Sequence, residues 1–207
     1  NPANPGEIYC TLTNNKDRGA AGKPATDAAN PRSNNLFGHI IHWLEDNNDP
    51  AATGFRWDIF ALAGRPDSNK PEHQNGRYQG DVFGSPDGLH YDANGILWIQ
   101  TDISTSTLNQ KEYADTGHNM MLASLPATGE IKRFLTGPAG CEITGISFTT
   151  DHRTLFVNIQ HPGEPASELS DPSAPTAISR WPDGAQAGRP RSATVVIRKD
   201  DGGVIGL

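Results

Sequence analysis

The chain has 207 residues and a formal net charge of -7, an acidic balance without a basic stripe that argues against non-specific nucleic-acid binding. No apolar run reaches the roughly 18 residues of a membrane helix. The 22 glycines and 16 prolines favour many short elements joined by turns.

The opening residues 1–6, Asn-Pro-Ala-Asn-Pro-Gly, read as the middle of a loop, so upstream sequence is expected, and any export signal would lie there. Residues 7–13 form the first expected strand, rich in β-formers. Residues 19–33 hold small residues with Pro24 and Pro31, a long irregular connection of the kind that is often functional. Residues 37–43 and 54–63 follow as strands around a turn at 46–50, and residues 65–80 read as a solvated polar loop.

Residues 85–102 carry the clearest pattern. Pro86, Asp87 and Gly88 supply turn chemistry. Leu89 and Tyr91 alternate with His90 and Asp92, and Asp92 to Gly95 return the chain. Ile96, Leu97, Trp98 and Ile99 suit a strand buried on both faces. A Ser/Thr-rich stretch follows, with at most one helical turn near Gln110 to Glu112. Residues 118–124 and 130–136 are strands around a turn at 127–129.

Residues 141–160 repeat the grammar of residues 85–102: a short strand, an Asp-containing turn, then an apolar strand with a polar end. The spacing is about 55–60 residues, somewhat longer than common propeller blades. Residues 161–191 are a Pro/Ser/Ala loop, and 192–198 a final strand. The expected fold class is all-β, with a β-propeller favoured over a β-sandwich. About three blade-like units fit, fewer than the four to eight that close a ring. The whole chain, 1–207, is therefore read as the C-terminal portion of one propeller domain, completed by a missing N-terminal half or by self-association through open blade edges.

In such a fold the ends of inner strands converge on a channel. Asp87 and Glu142 enter equivalent strands, while Asn14, Asn15, Asp102, Asn158, Gln160 and His161 leave strands. An oxygen-rich set of this kind suits a hard cation such as Ca²⁺. Asp87 reads equally well as a turn former. Glu142 lies beside Cys141 and Ile143, where a carboxylate calls for a partner or a metal. Arg32 is either a bidentate phosphate contact or a solvated surface residue. His161 is either a ligand or acid/base group, or a turn cap. Cys10 and Cys141 read as two buried thiols on strands, or as a bridge if their Cα atoms lie within about 7 Å. No phosphate-binding loop, nucleophile elbow or Cys-x-x-Cys pair is present.

Several phrases in order resemble the C-terminal part of bacterial PhoX-type alkaline phosphatases. They are residues 9–15 (YCTLTNN), 29–32 (ANPR) with Asn35, 38–41 (GHII), 85–88 (SPDG), 98–102 (WIQTD), 134–138 (FLTGP), 142–145 (EITG), 158–163 (NIQHPG), 191–197 (RSATVVI) and 202–206 (GGVIG). The resemblance implies a six-bladed propeller exported through the twin-arginine route to the periplasm or the exterior. It implies a phosphomonoesterase, acting on small phosphate esters at alkaline pH, with Ca²⁺ and Fe³⁺ in the channel. The family's iron-binding cysteine falls in the N-terminal half, so neither Cys10 nor Cys141 inherits that role.

Arg32 resembles the family's phosphate-contacting arginine, with Asn35 beside it as a substrate-binding group. Glu142 and Asp87 resemble the family's acidic channel positions, which would make them metal ligands; Asp102, at a strand end, is expected to join them, and His161 and Asn158 would be catalytic and substrate-positioning groups. Where the family pattern places an acidic residue shortly after the arginine, this chain has Ser33, Asn34 and Asn35. Two other readings stand beside this one: a calcium-dependent lactonase-like propeller, and a non-catalytic propeller module that binds a partner.

Overall fold

Short runs of alternating or continuous apolar residues, each closed by Gly, Pro, Asn or Asp, fold as strands throughout. The computed structural model describes every residue except 168 and 187. Among the described residues it contains β-strands and single turns of 3-10 helix, and no α-helix.

Strands β1 (Glu7–Leu12), β2 (His39–Glu45) and β3 (Phe55–Leu62) form a three-stranded antiparallel sheet in that order. A register shift lies between Ile40 and Ile41. Strands β4 (Gln79–Gly80), β5 (Pro86–Tyr91), β6 (Leu97–Thr101), β7 (Met120–Leu125) and β8 (Glu130–Thr136) make a five-stranded sheet of order β4-β8-β7-β6-β5. Strands β9 (Glu142–Phe148), β10 (Leu155–Gln160) and β11 (Ala193–Ile197) form a second antiparallel three-stranded sheet, with β10 central.

The chain divides into two compact units. The first comprises Asn1–Ile99 and Leu122–Arg133, the second Gln100–Met121 and Phe134–Leu207. Phe37, Ile40, Ala61, Phe83, Trp98 and Ile131 are fully buried in the first. Met120, Met121, Ile143, Leu155 and Val157 are fully buried in the second.

All residues of β6 are buried, as its apolar run requires. The turn before it is built around Asp92. Its Oδ1 accepts the N–H groups of Asn94 and Ile96 at 2.8 and 3.0 Å, and its Oδ2 accepts the indole N–H of Trp98 at 2.9 Å. The equivalent turn between β9 and β10 uses Asp151 in the open, where Oδ1 accepts from the Thr149 hydroxyl at 2.6 Å and from Arg153 N–H at 3.1 Å.

Three local expectations are corrected. Pro86, Asp87 and Gly88 lie inside β5 and do not form a turn. The ladder neighbour β6 supplies the hydrogen bonds that a turn would otherwise make internally. The polar stretch 65–80 carries a 3-10 turn at Pro71–His73 with His73 buried, and ends in the short β4, which pairs parallel to β8. Cys10 is exposed on β1 while Cys141 is buried, and both thiols are free.

Candidate functional site

In the first unit, the long loop of residues 14–35 is pinned at its base by paired main-chain bonds between Asn15 and Asn35, at 2.7 and 3.0 Å. Arg32 is buried near that base. Its Nη1 donates to the carbonyl of Ala63 at 2.7 Å and more distantly to Gln74 O at 3.4 Å, and its Nη2 donates to Gly38 O. Gly38 must be glycine here: its φ is +75°, and a Cβ would lie 2.8 Å from Leu12 O.

Asn35 is equally committed. Its Oδ1 accepts Gly38 N–H at 3.1 Å and its Nδ2 lies 3.1 Å from His39 Nδ1. The other ring nitrogen, Nε2, is 2.7 Å from Ala29 O. A carbonyl can only accept, so Nε2 carries the proton and Nδ1 accepts from Asn35. Burial pulls the His39 imidazole below its ordinary value, and Arg32 and Arg18 push it further the same way against the Ala29 bond. Arg32 and Asn35 thus sit together, with their polar atoms engaged by groups of Gly38, His39, Ala63 and Gln74 beyond the loop that carries them. Asp87 is exposed on β5, and its main-chain carbonyl accepts the Thr11 hydroxyl at 2.9 Å.

The second unit holds the other expected residues. Glu142 opens β9 and is buried, facing Gln160 at the end of β10. Gln160 Nε2 donates to Glu142 Oε2 at 2.7 Å. His161 follows at once, with φ +36°, and turns its ring between two carboxylates. Its Nε2 is 3.4 Å from Glu142 Oε2, and its Nδ1 is 3.4 Å from Glu164 Oε2. Ser192 Oγ accepts the His161 main-chain N–H at 3.0 Å.

Asn158 stands on the same face of β10 as Gln160, and its Oδ1 accepts the Thr194 hydroxyl at 2.7 Å. Asp102 is exposed just beyond β6. Burial pushes the thiol of Cys141 up to about 12, with Glu142 adding to the effect, so it stays protonated and inert at neutral pH.

A cleft of about 790 Å³ opens beside this histidine. Among its lining residues are His161, Glu164, Arg189, Arg191 and Ser192, together with Pro162 and Pro190. Arg191 is held by a two-pronged pairing with Asp183 at 2.8 and 3.2 Å. The arrangement offers an imidazole held between carboxylates, next to two guanidinium groups, which is chemistry suited to an anionic ester.

Sequence reading passed over Glu164, Arg189 and Arg191. The readable signal for Glu164 is its spacing: His161-Pro162-Gly163-Glu164 is a turn that returns residue 164 to residue 161. The arginines flank a proline in an irregular loop and carry no spacing signal. Among the described residues, no group of three or more His, Cys, Asp or Glu side chains gathers in a way that could hold a metal ion.

The sequence profile of one family, described as alkaline phosphatase PhoX, matches residues 1–163. A solved structure, described as Pseudomonas fluorescens PhoX in complex with vanadate, a transition state analogue, is similar at 43% sequence identity with a TM-score of 0.85. The match covers 98% of this chain and 33% of that one, so this chain spans about a third of the length of the structure it resembles. No curated protein matches.

Proposed function

This chain belongs to the PhoX alkaline phosphatase family, and we propose that it forms the C-terminal part of an enzyme that hydrolyses phosphate monoesters at alkaline pH. The observation that carries the reading is the 43% identity, over 98% of this chain, to a structure described as a complex with a transition state analogue. Such analogues bind where an enzyme stabilises the reacting geometry. On this reading the three sheets are consecutive blades of a single propeller, six-bladed when complete, which is exported to the periplasm or the exterior. Among the described residues no helix is long and apolar enough to cross a membrane.

The cleft beside His161 takes the substrate. Arg189 attracts the phosphate, since a guanidinium fork matches its oxygens, while the Arg191 fork is taken by Asp183. His161 delivers a proton to the leaving alcohol oxygen, and Glu142 and Glu164 hold its ring in place from either side. Gln160 fixes the Glu142 carboxylate. Asn158 lies two residues along the same strand face and positions the bound ester. Arg32 ties the base of the first unit's loop to the carbonyls of Gly38, Ala63 and Gln74, and Asn35 ties it to Gly38; by the resemblance both would also contact the phosphate.

Metal ions, Ca²⁺ and Fe³⁺ on the resemblance, would supply Lewis acidity. The described residues do not fit a complete shell for either ion. Asp87 and Asp102 stand exposed and Glu142 is buried against Gln160 and His161, so further donors must come from the rest of the longer polypeptide.

The test is hydrolysis of p-nitrophenyl phosphate by the longer protein after exhaustive chelation and after return of Ca²⁺ and Fe³⁺. Loss on chelation and recovery on return are expected. Turnover that survives chelation overturns the metal dependence, and cleavage of lactones without phosphatase activity overturns the reaction class.

A further inference from the structure

We propose that the cleft beside His161 selects phosphate monoesters whose alcohol carries an extended apolar body, such as an alkyl chain. This selectivity rests on the reading of that cleft as the substrate site. The cleft is formed by the loop that joins β10 to β11, and the two roots of the loop lie side by side. Ser192 Oγ accepts the His161 N–H at 3.0 Å, and a Cβ on Gly163 would lie 3.0 Å from Pro190 Cγ. The N–H groups of Gly163 and Glu164 donate to the carbonyls of Ala139 and Gly140 at 2.8 and 3.0 Å, which fixes the first root. Arg191 fixes the second, through its fork with Asp183 and its N–H to Trp181 O at 3.3 Å.

The roots carry His161 and Arg189, the groups that meet the phosphate. The body of the loop has another character. Leu169 and Ile178 line the cleft and stand 83% and 45% exposed, and five prolines line it with them. A single exposed apolar side chain needs no explanation. A leucine, an isoleucine and five prolines on one concave wall, beside an arginine suited to phosphate, mark a binding surface. The fixed φ of proline holds such a wall in shape, so little chain entropy is lost when a ligand settles on it. Asp171 also lines the cleft, but its carboxylate is engaged by the loop itself: Oδ1 accepts the Ser173 N–H and hydroxyl at 2.8 and 2.7 Å.

The size of the cleft points the same way. A volume of about 790 Å³ lies in the range that takes a drug-sized ligand, far more than a phosphate group fills. The rest of that space is bounded by the body of the loop. A hydrocarbon chain gains burial against proline, leucine and isoleucine, whereas a small polyol gives up hydration of its hydroxyls there.

The test is the metal-loaded longer protein assayed with ethyl, butyl and hexyl phosphate, whose leaving alcohols have nearly equal acidity, and with glycerol 3-phosphate. Full burial of a methylene is worth about fourfold in binding, so in an open-sided cleft kcat/KM should rise by at least about 10-fold from ethyl to hexyl phosphate. The rise should appear mainly in KM, since the chain lies away from the reacting bond. Glycerol 3-phosphate should do no better than ethyl phosphate. Replacing both wall residues, Leu169→Ser with Ile178→Ser, should shrink the hexyl-to-ethyl ratio by at least about 3-fold. Equal kcat/KM along the alkyl series, or a preference for glycerol 3-phosphate over hexyl phosphate, overturns the selectivity and leaves the proposed reaction standing. A ratio unchanged in the double variant also overturns it, since the apolar contact would then lie elsewhere. If that variant does not fold, the wild-type series decides alone. Absence of turnover with every ester removes the reaction and the selectivity together.

Discussion

The buried carboxylate of Asp92 accepts the indole N–H of Trp98 at 2.9 Å, across the turn that joins β5 to β6. The same carboxylate caps the N–H groups of Asn94 and Ile96. One side chain thus closes the turn and anchors the largest ring of the first unit's core. Asp92→Ala withdraws the acceptor from these donors and should cost about 2–4 kcal/mol, read as a lower urea midpoint. An unchanged midpoint would remove this role.

Asn119 plays a comparable part in the second unit. Its Oδ1 accepts from Ile103 N–H at 2.6 Å and from the Thr101 hydroxyl at 2.9 Å, and its Nδ2 donates to Ile103 O and Cys141 O at 3.0 and 2.9 Å. Asn119→Asp keeps the shape but turns a carboxylate oxygen toward two carbonyls. It should destabilise by more than about 2 kcal/mol at neutral pH and less in acid, where the carboxyl can donate again. Equal loss at pH 4 and pH 7 would count against the pairing.

Arg32 separates two roles. Its guanidinium spans the carbonyls of Ala63, Gly38 and Gln74. Lysine has no fork to reach all of them. Arg32→Lys should therefore lower the unfolding midpoint, by about 1–3 kcal/mol in stability. A rise in KM with an unchanged midpoint would instead make Arg32 a phosphate contact alone.

His39 gives the pH dependence. Its unfolded imidazole takes up a proton near 6.5, whereas burial holds the folded one below that value. As the pH falls the unfolded chain binds the extra proton first, so stability contributed above about pH 6.5 is lost as the pH drops through the folded value. Wild type and His39→Gln should differ most in urea midpoint at pH 8 and converge toward pH 5. A constant difference across that range would contradict a neutral, buried His39.

His161 is expected to act on the chemical step. In the longer protein, His161→Ala should lower kcat by about 10²–10⁴-fold with its unfolding midpoint retained. Gln160→Leu should release Glu142 and shift the acid limb of the pH–rate profile, an effect that a purely structural side chain would not produce. Activity unaffected by His161→Ala would place the chemistry elsewhere.

Much of the strand order was legible because apolar spacing and turn residues agree locally, as in Leu97 to Ile99 and in the echo of residues 85–102 at 141–160. Pro86 and Asp87 misled because turn chemistry was outweighed by ladder pairing from β6, which is not local in sequence. The burial and pairing of Glu142 were legible because its neighbours are apolar and a buried carboxylate calls for a partner, which Gln160 and His161 supply. Arg32 and Asn35 carried no local sign of the carbonyls and amide that occupy them, since those come from residues 38, 63 and 74. Arg189 and Arg191 reach the cleft through an irregular loop, where no periodicity marks which side chains converge.

The most direct test of the assignment is p-nitrophenyl phosphate turnover at alkaline pH by the longer protein, measured against rising vanadate. The account predicts turnover that vanadate suppresses competitively, at concentrations well below those at which inorganic phosphate does so. Absence of turnover in the metal-loaded protein, or turnover indifferent to vanadate, would contradict it.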